Sequence, residues 1–157
     1  MRIYCDMIGD LFHYGHISFL KEAKKIGDFV IVGLMSDEES EKYKRKPILN
    51  IEERKKEIEG CKYVDLVVIN CPCPITKEFI EKYKIDYVLH GDDFNEEDIE
   101  KWYHVPKKLN MLKIVPYTKG ISTTEIIAAA FVLISNSKAS SIWQLFRSGL
   151  VGCNNIT

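Results

Sequence analysis

The chain has 157 residues, with 46% hydrophobic and 29% charged residues, which is ordinary for one globular domain able to bury a core. A formal net charge of −1 gives no general reason to expect nucleic acid or an acidic membrane as a partner. The five cysteines lack the spacing of a disulfide framework, and no basic, then apolar, stretch opens the chain. Together these features predict a cytoplasmic protein without a signal peptide.

Strand-like and helix-like segments alternate along the chain. The predicted strands are, in chain order, Arg2–Asp6, Phe29–Met35, Val64–Ile69, Asp86–Leu89 and Lys113–Pro116. The predicted helices are one with apolar residues from Ile17 onward, then Glu52–Cys61, Thr76–Tyr83, Tyr103–Leu109 and one opening at Ser122. This alternation predicts a doubly wound, Rossmann-like parallel α/β sheet. The apolar run at 126–134 is too short to span a bilayer, so no integral membrane segment is expected.

The most informative motif places two histidines around a glycine where the first strand passes to the first helix. His13 and His16 flank Gly15, and imidazole nitrogens beside a helix N-terminus can donate hydrogen bonds to phosphate oxygens. Two other interpretations stay open from the pair alone: surface histidines in a turn, and half of a zinc site. Zinc is the less favoured, because the only close cysteine pair, Cys71 and Cys73, lacks the C-x-x-C spacing.

Three polar loops follow predicted strands, at 10–16, 90–93 and 117–124, and ligands bind at this edge of parallel sheets. With these loops in order, about the first 128 residues resemble the cytidylyltransferases that make CDP-alcohols. The segment 10–16 resembles the nucleotide loop of that family, and 43–47 resembles the loop with its phosphate-binding lysine. The segment 120–124, Gly-Ile-Ser-Thr-Thr, resembles its second signature.

The resemblance implies transfer of CMP from CTP to a small phosphorylated alcohol, with Mg²⁺ accompanying CTP. The implied catalytic residues are His13, His16 and Lys44. The implied nucleotide-binding residues are Ile8, Gly9, Asp10, Gly91, Asp92, Gly120, Ile121, Ser122, Thr123 and Thr124. The implied substrate-binding residues are Asp10, Lys44, Cys73, Asp92, Asp93 and Tyr103.

Among phosphorylated alcohols, phosphoethanolamine is favoured, with phosphocholine and glycerol-3-phosphate as alternatives. The tryptophan of the choline enzymes falls on Cys73 here, and a primary ammonium could pair with Asp92 and Asp93. The segments at 44–47 and 61–65 look most like the ethanolamine enzymes. The resemblance of 61–65 also implies a homodimer built around that strand entry and the helix after His16.

Two positions depart from the family pattern. Met7 stands at a glycine position, and Tyr117 stands where the second signature begins with arginine. The guanidinium that would bind phosphate at position 117 is therefore missing, and Lys46 or Lys119 could partly replace it. An inactive nucleotide-binding homologue and an adenylyltransferase acting on a vitamin phosphate therefore stay open. Residues 1–128 are expected to form the catalytic domain, and 129–157 a C-terminal helical extension or tail.

Overall fold

The computed structural model describes residues 1–136, which form five strands and six helices. The strands are β1 (Arg2–Met7), β2 (Phe29–Leu34), β3 (Leu66–Ile69), β4 (Tyr87–Gly91) and β5 (Leu112–Val115). The helices are α1 (Tyr14–Ile26), α2 (Asp37–Tyr43), α3 (Ile51–Glu59), α4 (Lys77–Tyr83), α5 (Glu96–Lys108) and α6 (Thr123–Asn136).

The strands form one sheet in the order β3-β2-β1-β4-β5, and every neighbouring pair is parallel. The predicted doubly wound α/β sheet is therefore confirmed. The chain winds in one direction from β1 to β3 and returns through β4 on the other side of β1. This places a topological switch point between β1 and β4, where open α/β sheets hold their ligands.

Each face of the sheet carries its own apolar core, because successive strand residues point to opposite faces. Ile3 and Cys5 of β1 pack on one face with Leu20 of α1 and Ile58 of α3. Tyr4, between them in sequence, packs on the opposite face in a second cluster; that cluster also contains residues of α4 and α5. The sheet is thus covered on both faces, and its edge beyond the strand ends is left for the loops.

Two helices differ from the sequence expectations. The helix α2 was not predicted, and α5 begins at Glu96, seven residues before the predicted start at Tyr103. Both open with an asparagine or serine N-cap followed by three acidic residues. Acidic residues in a first turn are stabilised by the helix dipole, so these stretches are helix starts rather than loops.

The chain divides into two compact units, Met1–Thr123 and Thr124–Thr157. In the second unit, the described residues are 124–136, which all belong to α6. Phe131 and Leu133 of this helix are exposed. The expected boundary at residue 128 falls inside α6, and the rest of the expected extension, 137–157, lies outside the described residues. Within residues 1–136, no helix is long and apolar enough to cross a membrane.

Candidate functional site

A cavity of about 280 Å³ lies in the first unit, beside the carboxyl ends of β1 and β4. Most of the residues expected at the site line it: Ile8, Gly9, Asp10, His13, His16, Lys44, Cys73, Gly91, Asp93, Tyr103 and Thr123. Four expected residues are not among the described residues lining this cavity: Asp92, Gly120, Ile121 and Ser122. Thr124 belongs to the second unit. The catalytic, nucleotide-binding and substrate-binding roles expected of all sixteen residues stay predictions.

The two histidines are built into the start of α1, which begins at Tyr14 rather than near Ile17. His13 is the N-cap residue, and its Nδ1 accepts a hydrogen bond from the Gly15 backbone N–H at 3.1 Å. His16 is the third residue of the helix, and its Nδ1 accepts from the His13 backbone N–H at 3.2 Å. The expectation that this motif forms a loop before the helix is therefore wrong, because the imidazoles themselves cap the first turn.

This capping fixes the chemistry of both rings. A neutral imidazole has one acceptor and one donor nitrogen, so an Nδ1 that accepts a backbone N–H leaves the ring proton on Nε2. Burial is the main cause that lowers the pKa of His16 to about 4, and the nearby His13 is the second. His16 is consequently a neutral N–H donor at pH 7. The cavity presents it as a fixed dipole rather than as a positive charge.

Gly15 is held close to the His13 ring and to the segment 120–124. A Cβ at this position would lie 3.0 Å from His13 Cε1 and 3.2 Å from Ile121 Cγ2, which is tighter than usual packing. Next to Ile121, Gly120 adopts a φ of +89°, a conformation that favours glycine. The glycines of the two motifs therefore let the histidine turn and the segment before α6 approach each other.

Asp10 joins the histidine turn to the loop that carries Lys44. Its carboxylate accepts the backbone N–H groups of Ile48 at 3.1 Å and Leu49 at 3.0 Å, and lies 2.8 Å from the Arg45 guanidinium. Burial alone would raise the pKa of Asp10, but these hydrogen bonds outweigh burial and lower it. With its side chain 2% exposed, Asp10 holds the loop in place.

Arg54 holds the same region from the opposite side and was missed by sequence reasoning as part of the site. Its side chain is fully buried and donates to the backbone oxygens of Ile8, Met35 and Leu49, and to the Asp37 carboxylate. A buried guanidinium needs several acceptors, and here they come from the loops that follow β1, β2 and α2 and from the first residue of α2.

One end of the cavity is acidic and carries a residue that the sequence did not single out. Asp6, in β1, is bonded through both carboxylate oxygens to the Tyr103 hydroxyl, at 2.8 and 2.7 Å. Burial raises the pKa of Asp6, although His90 and Tyr103 partly offset this effect. The available signal was its position, as a carboxylate at the end of an otherwise apolar central strand.

Aromatic rings line the same cavity as this carboxylate. His90 lies 4.2 Å from Phe94 and 4.8 Å from Tyr103 between ring centroids, and all three line the cavity. Tyr43 and Trp102, which also line it, meet edge to face at 5.8 Å. A half-buried acid in a cavity lined by aromatic rings is a suitable environment for a small organic cation.

The bend in α5 helps to form this wall. Tyr103 has non-helical dihedral angles, φ −125° and ψ 19°, and Pro106 follows three residues later inside the helix. Proline removes a backbone donor and displaces the preceding turn, which accounts for the irregularity. Trp102 and Tyr103 consequently both reach the cavity, although they are adjacent in sequence.

The two other acids expected at this end are placed differently from one another. Asp92 accepts the Tyr117 backbone N–H at 2.8 Å, which ties the end of β4 to the segment before α6. Asp93 lines the cavity, is 46% exposed, and lies 3.8 Å from His90 Nδ1. Of the three acids, Asp6 is the one that accepts a hydrogen bond from a ring hydroxyl, that of Tyr103. Cys73 lines the same end, and burial raises its pKa to about 12, so its thiol stays protonated.

For Mg²⁺, the described residues offer no group of three or more His, Cys, Asp or Glu side chains arranged to hold a metal ion. Magnesium commonly keeps several waters and binds through substrate phosphates together with one or two carboxylates. The cavity therefore fits an ion that arrives with a triphosphate better than one held in a protein cage, and Mg²⁺ stays a prediction.

Comparisons with known proteins agree with this geometry. The chain is 35% identical over 128 residues to ethanolamine-phosphate cytidylyltransferase of Dictyostelium discoideum, covering 81% of this chain and 36% of the relative. It is 38% identical over 130 residues to choline-phosphate cytidylyltransferase A of Homo sapiens, covering 81% and 35%. The chain thus spans about a third of the length of these relatives.

Solved structures support the fold. A lipopolysaccharide core biosynthesis protein from Thermoplasma volcanium superposes with a TM-score of 0.62 at 27% identity, covering 77% of this chain and 98% of that one. A pantothenate synthetase from Thermus thermophilus shares the fold alone, at 12% identity and a TM-score of 0.56, covering 80% of this chain and 60% of that one. A family profile described as cytidylyltransferase-like matches residues 10–129, most of the chain. The chain therefore belongs to the cytidylyltransferase-like family.

Proposed function

We propose that this chain transfers CMP from CTP to a phosphorylated amino alcohol, with phosphoethanolamine as the preferred acceptor. The observation that carries this proposal is that one cavity contains both the helix-capping histidine pair and a half-buried carboxylate bonded to the Tyr103 hydroxyl, with further aromatic rings in its lining. The first part suits a polyphosphate, and the second suits an ammonium group. Relatives named for ethanolamine-phosphate in Dictyostelium discoideum and Mus musculus support this choice.

In the proposed reaction, an oxygen of the alcohol phosphate forms a bond to the α-phosphorus of CTP. The bond from that phosphorus to the α,β-bridging oxygen breaks, and its electron pair leaves with pyrophosphate. The acceptor is already an anionic nucleophile, so catalysis relies on positioning and on stabilising charge. The Nε2–H groups of His13 and His16 would donate to the phosphate oxygens, and Lys44 would contribute a positive charge beside them. Mg²⁺, when bound with CTP, would neutralise part of the triphosphate.

Phosphocholine is the second candidate acceptor. The 38% identity to a choline-phosphate relative and the rings beside Cys73 favour it over glycerol-3-phosphate, which has no cation to pair with Asp6. Trimethylation removes all ammonium N–H donors, however, so choline would depend on ring faces alone. We therefore expect the order phosphoethanolamine, phosphocholine, glycerol-3-phosphate.

The test is release of pyrophosphate from CTP and ATP with each of these three alcohol phosphates and with a vitamin phosphate. We expect release with CTP and phosphoethanolamine at the highest kcat/KM. Preference for ATP and the vitamin phosphate would instead identify an adenylyltransferase, and CTP binding without turnover would identify an inactive homologue. A tenfold preference for phosphocholine would overturn the substrate order and leave CMP transfer intact.

We also propose that the chain forms a homodimer and acts in the cytoplasm. Tyr14 and Ile17 are exposed apolar side chains on α1, the helix expected at the contact. Sedimentation at micromolar concentration should give twice the 18.2 kDa mass of one chain. Ile17→Lys should shift the protein toward monomer; a wild-type monomer would refute the dimer.

A further inference from the structure

The cavity contains few permanent positive charges for the ligand assigned to it. A nucleoside triphosphate carries several negative charges at neutral pH, whereas His16 is neutral there because its pKa is about 4. Among the described residues, the lysine and arginine side chains that line the cavity are Lys44 and Arg45. Lys46 and Lys119, the residues considered as replacements for an arginine at position 117, are not among those lining it. Among the described residues that line the cavity, Arg45 is thus the one with a guanidinium group.

Arg45 is held where the two phosphate-binding motifs meet. Its guanidinium lies 2.8 Å from the Asp10 carboxylate and donates to the Lys46 backbone oxygen at 3.0 Å. The backbone oxygen of the same Asp10 accepts the Thr123 hydroxyl at 2.9 Å. The histidine turn, the Lys44 loop and the second signature therefore converge on the residue that Arg45 contacts.

Asp10 does not depend on Arg45 for its hydrogen bonds. The carboxylate also accepts the Ile48 and Leu49 backbone N–H groups, which remain when the guanidinium turns away. A guanidinium has five N–H donors in a planar fork, which suits two phosphate oxygens at once. Exchange of the Asp10 oxygen for a phosphate oxygen would keep Arg45 paired and would leave Asp10 hydrogen-bonded.

We propose that Arg45 binds the triphosphate of the nucleotide, on the part that leaves as pyrophosphate, and releases Asp10 when it does so. This inference rests on the proposed function, because it assumes that a nucleoside triphosphate is the ligand. In this inference, Arg45 of the Lys44 loop supplies the guanidinium that the family pattern places at position 117, where this chain has Tyr117. Tyr117 lines the same cavity.

The test is calorimetric titration of Arg45→Gln with CTP, inorganic pyrophosphate and CMP. The change should weaken CTP and pyrophosphate about tenfold to 150-fold, the range for losing a hydrogen bond to a charged group, and CMP less than threefold. The matched control is Lys42→Gln, which removes one exposed positive charge from α2 outside this cavity. It should leave all three affinities within threefold. Arg45→Lys should recover only part of the loss, since lysine lacks the fork.

A second variant separates binding from a purely structural role. Tyr117→Arg, introduced into Arg45→Gln, should restore pyrophosphate affinity at least fivefold by supplying a guanidinium from another wall of the cavity. If Arg45 only held Asp10, Arg45→Gln would lower the free energy of unfolding and leave pyrophosphate affinity within threefold, which would overturn the inference. Wild-type protein that binds pyrophosphate but neither binds nor consumes CTP would contradict the proposed function alone. Failure to bind either anion would overturn both.

Discussion

At the scale of single residues, the two histidines combine a structural and a chemical role in one ring. Each Nδ1 accepts a backbone N–H at the start of α1, and each Nε2 is left as the donor. The backbone thus sets the tautomer and the orientation of the two imidazoles before any ligand binds. Such preorganised donors stabilise developing charge without reorganising at the moment of reaction.

Substitutions that imitate one nitrogen at a time separate the two roles of His13. His13→Asn keeps an acceptor near Nδ1 and loses the donor, so kcat should fall about a hundredfold to a thousandfold, equal to roughly 2.7–4 kcal/mol, with little change in Tm. His13→Gln keeps a donor near Nε2 and loses the cap, which should cost about 0.5–2 kcal/mol of stability. Steady-state kinetics and thermal unfolding measure the two effects. Turnover of His13→Asn within threefold of wild type would contradict the assignment.

The lowered pKa of His16 predicts a loss of stability in acid. The folded chain binds the proton only near pH 4, whereas the unfolded chain binds it below about 6.5. Unfolding therefore takes up a proton between these values, and the free energy of unfolding should fall as the pH drops from 6.5 to 4. Urea unfolding at several pH values should show a smaller fall for His16→Asn. His104→Asn, at an exposed position, should follow the wild-type curve. Parallel curves for wild type and His16→Asn would disprove this linkage.

Asp6 is the residue expected to distinguish amino alcohols from neutral ones. Asp6→Asn keeps an acceptor for the Tyr103 hydroxyl but removes the carboxylate that would pair with the ammonium group. Loss of one member of a buried charge pair costs at least about 2 kcal/mol, so kcat/KM for phosphoethanolamine should fall about thirtyfold or more. The rate with glycerol-3-phosphate should change little. An equal loss for both acceptors would show that Asp6 supports the fold rather than the ammonium group.

At the scale of elements, the loop that carries Lys44 is held between a carboxylate and a buried guanidinium. Asp10 binds it through Ile48 and Leu49, and Arg54 binds it through the Leu49 backbone oxygen. The helix α3 begins at Ile51, directly after this loop, with Asn50 as its N-cap. The loop is therefore fixed from both sides of the site and continues into a regular helix.

Arg54→Met tests how much of the stability depends on this arrangement. The change leaves three backbone oxygens and the Asp37 carboxylate without the buried guanidinium, and we expect a loss of about 3–5 kcal/mol. Denaturant unfolding measures it. Lys56→Met, on the same helix and exposed, should stay within about 0.5 kcal/mol of wild type. Similar values for the two variants would mean that Arg54 is not the organising contact.

The sequence predicted the sheet and most helices because apolar periodicity reports burial directly. It missed α2 and the first half of α5 because their acidic first turns look like loops when the N-caps at Ser36 and Asn95 are overlooked. It found His13 and His16 through their motif. It missed Asp6 and Trp102, since neither belongs to a local pattern and the fold alone brings them to one cavity.

At the scale of the whole molecule, the order of the strands explains where the cavity lies. The central strand β1 has β2 on one side and β4 on the other, so the segments after β1 and β4 diverge at the switch point. The histidine turn follows β1, and His90 lies in β4. Neighbouring strands of one sheet thus position both parts of the cavity: the histidine turn proposed to bind the triphosphate, and the aromatic end proposed to bind the ammonium group.

The contacts of Asp10 make a binding event at one part of the cavity detectable at another. Its carboxylate fixes two amide protons, on Ile48 and Leu49, while its carbonyl holds the Thr123 hydroxyl. These groups lie far apart in sequence but are held by a single residue. If Arg45 leaves Asp10 for a phosphate, the carboxylate keeps both amides but no longer shares its oxygens with the guanidinium, so exchange of the two amide protons should slow. Hydrogen exchange at those two amides therefore becomes an internal reporter of occupancy, readable without a chromophore and without altering the chain.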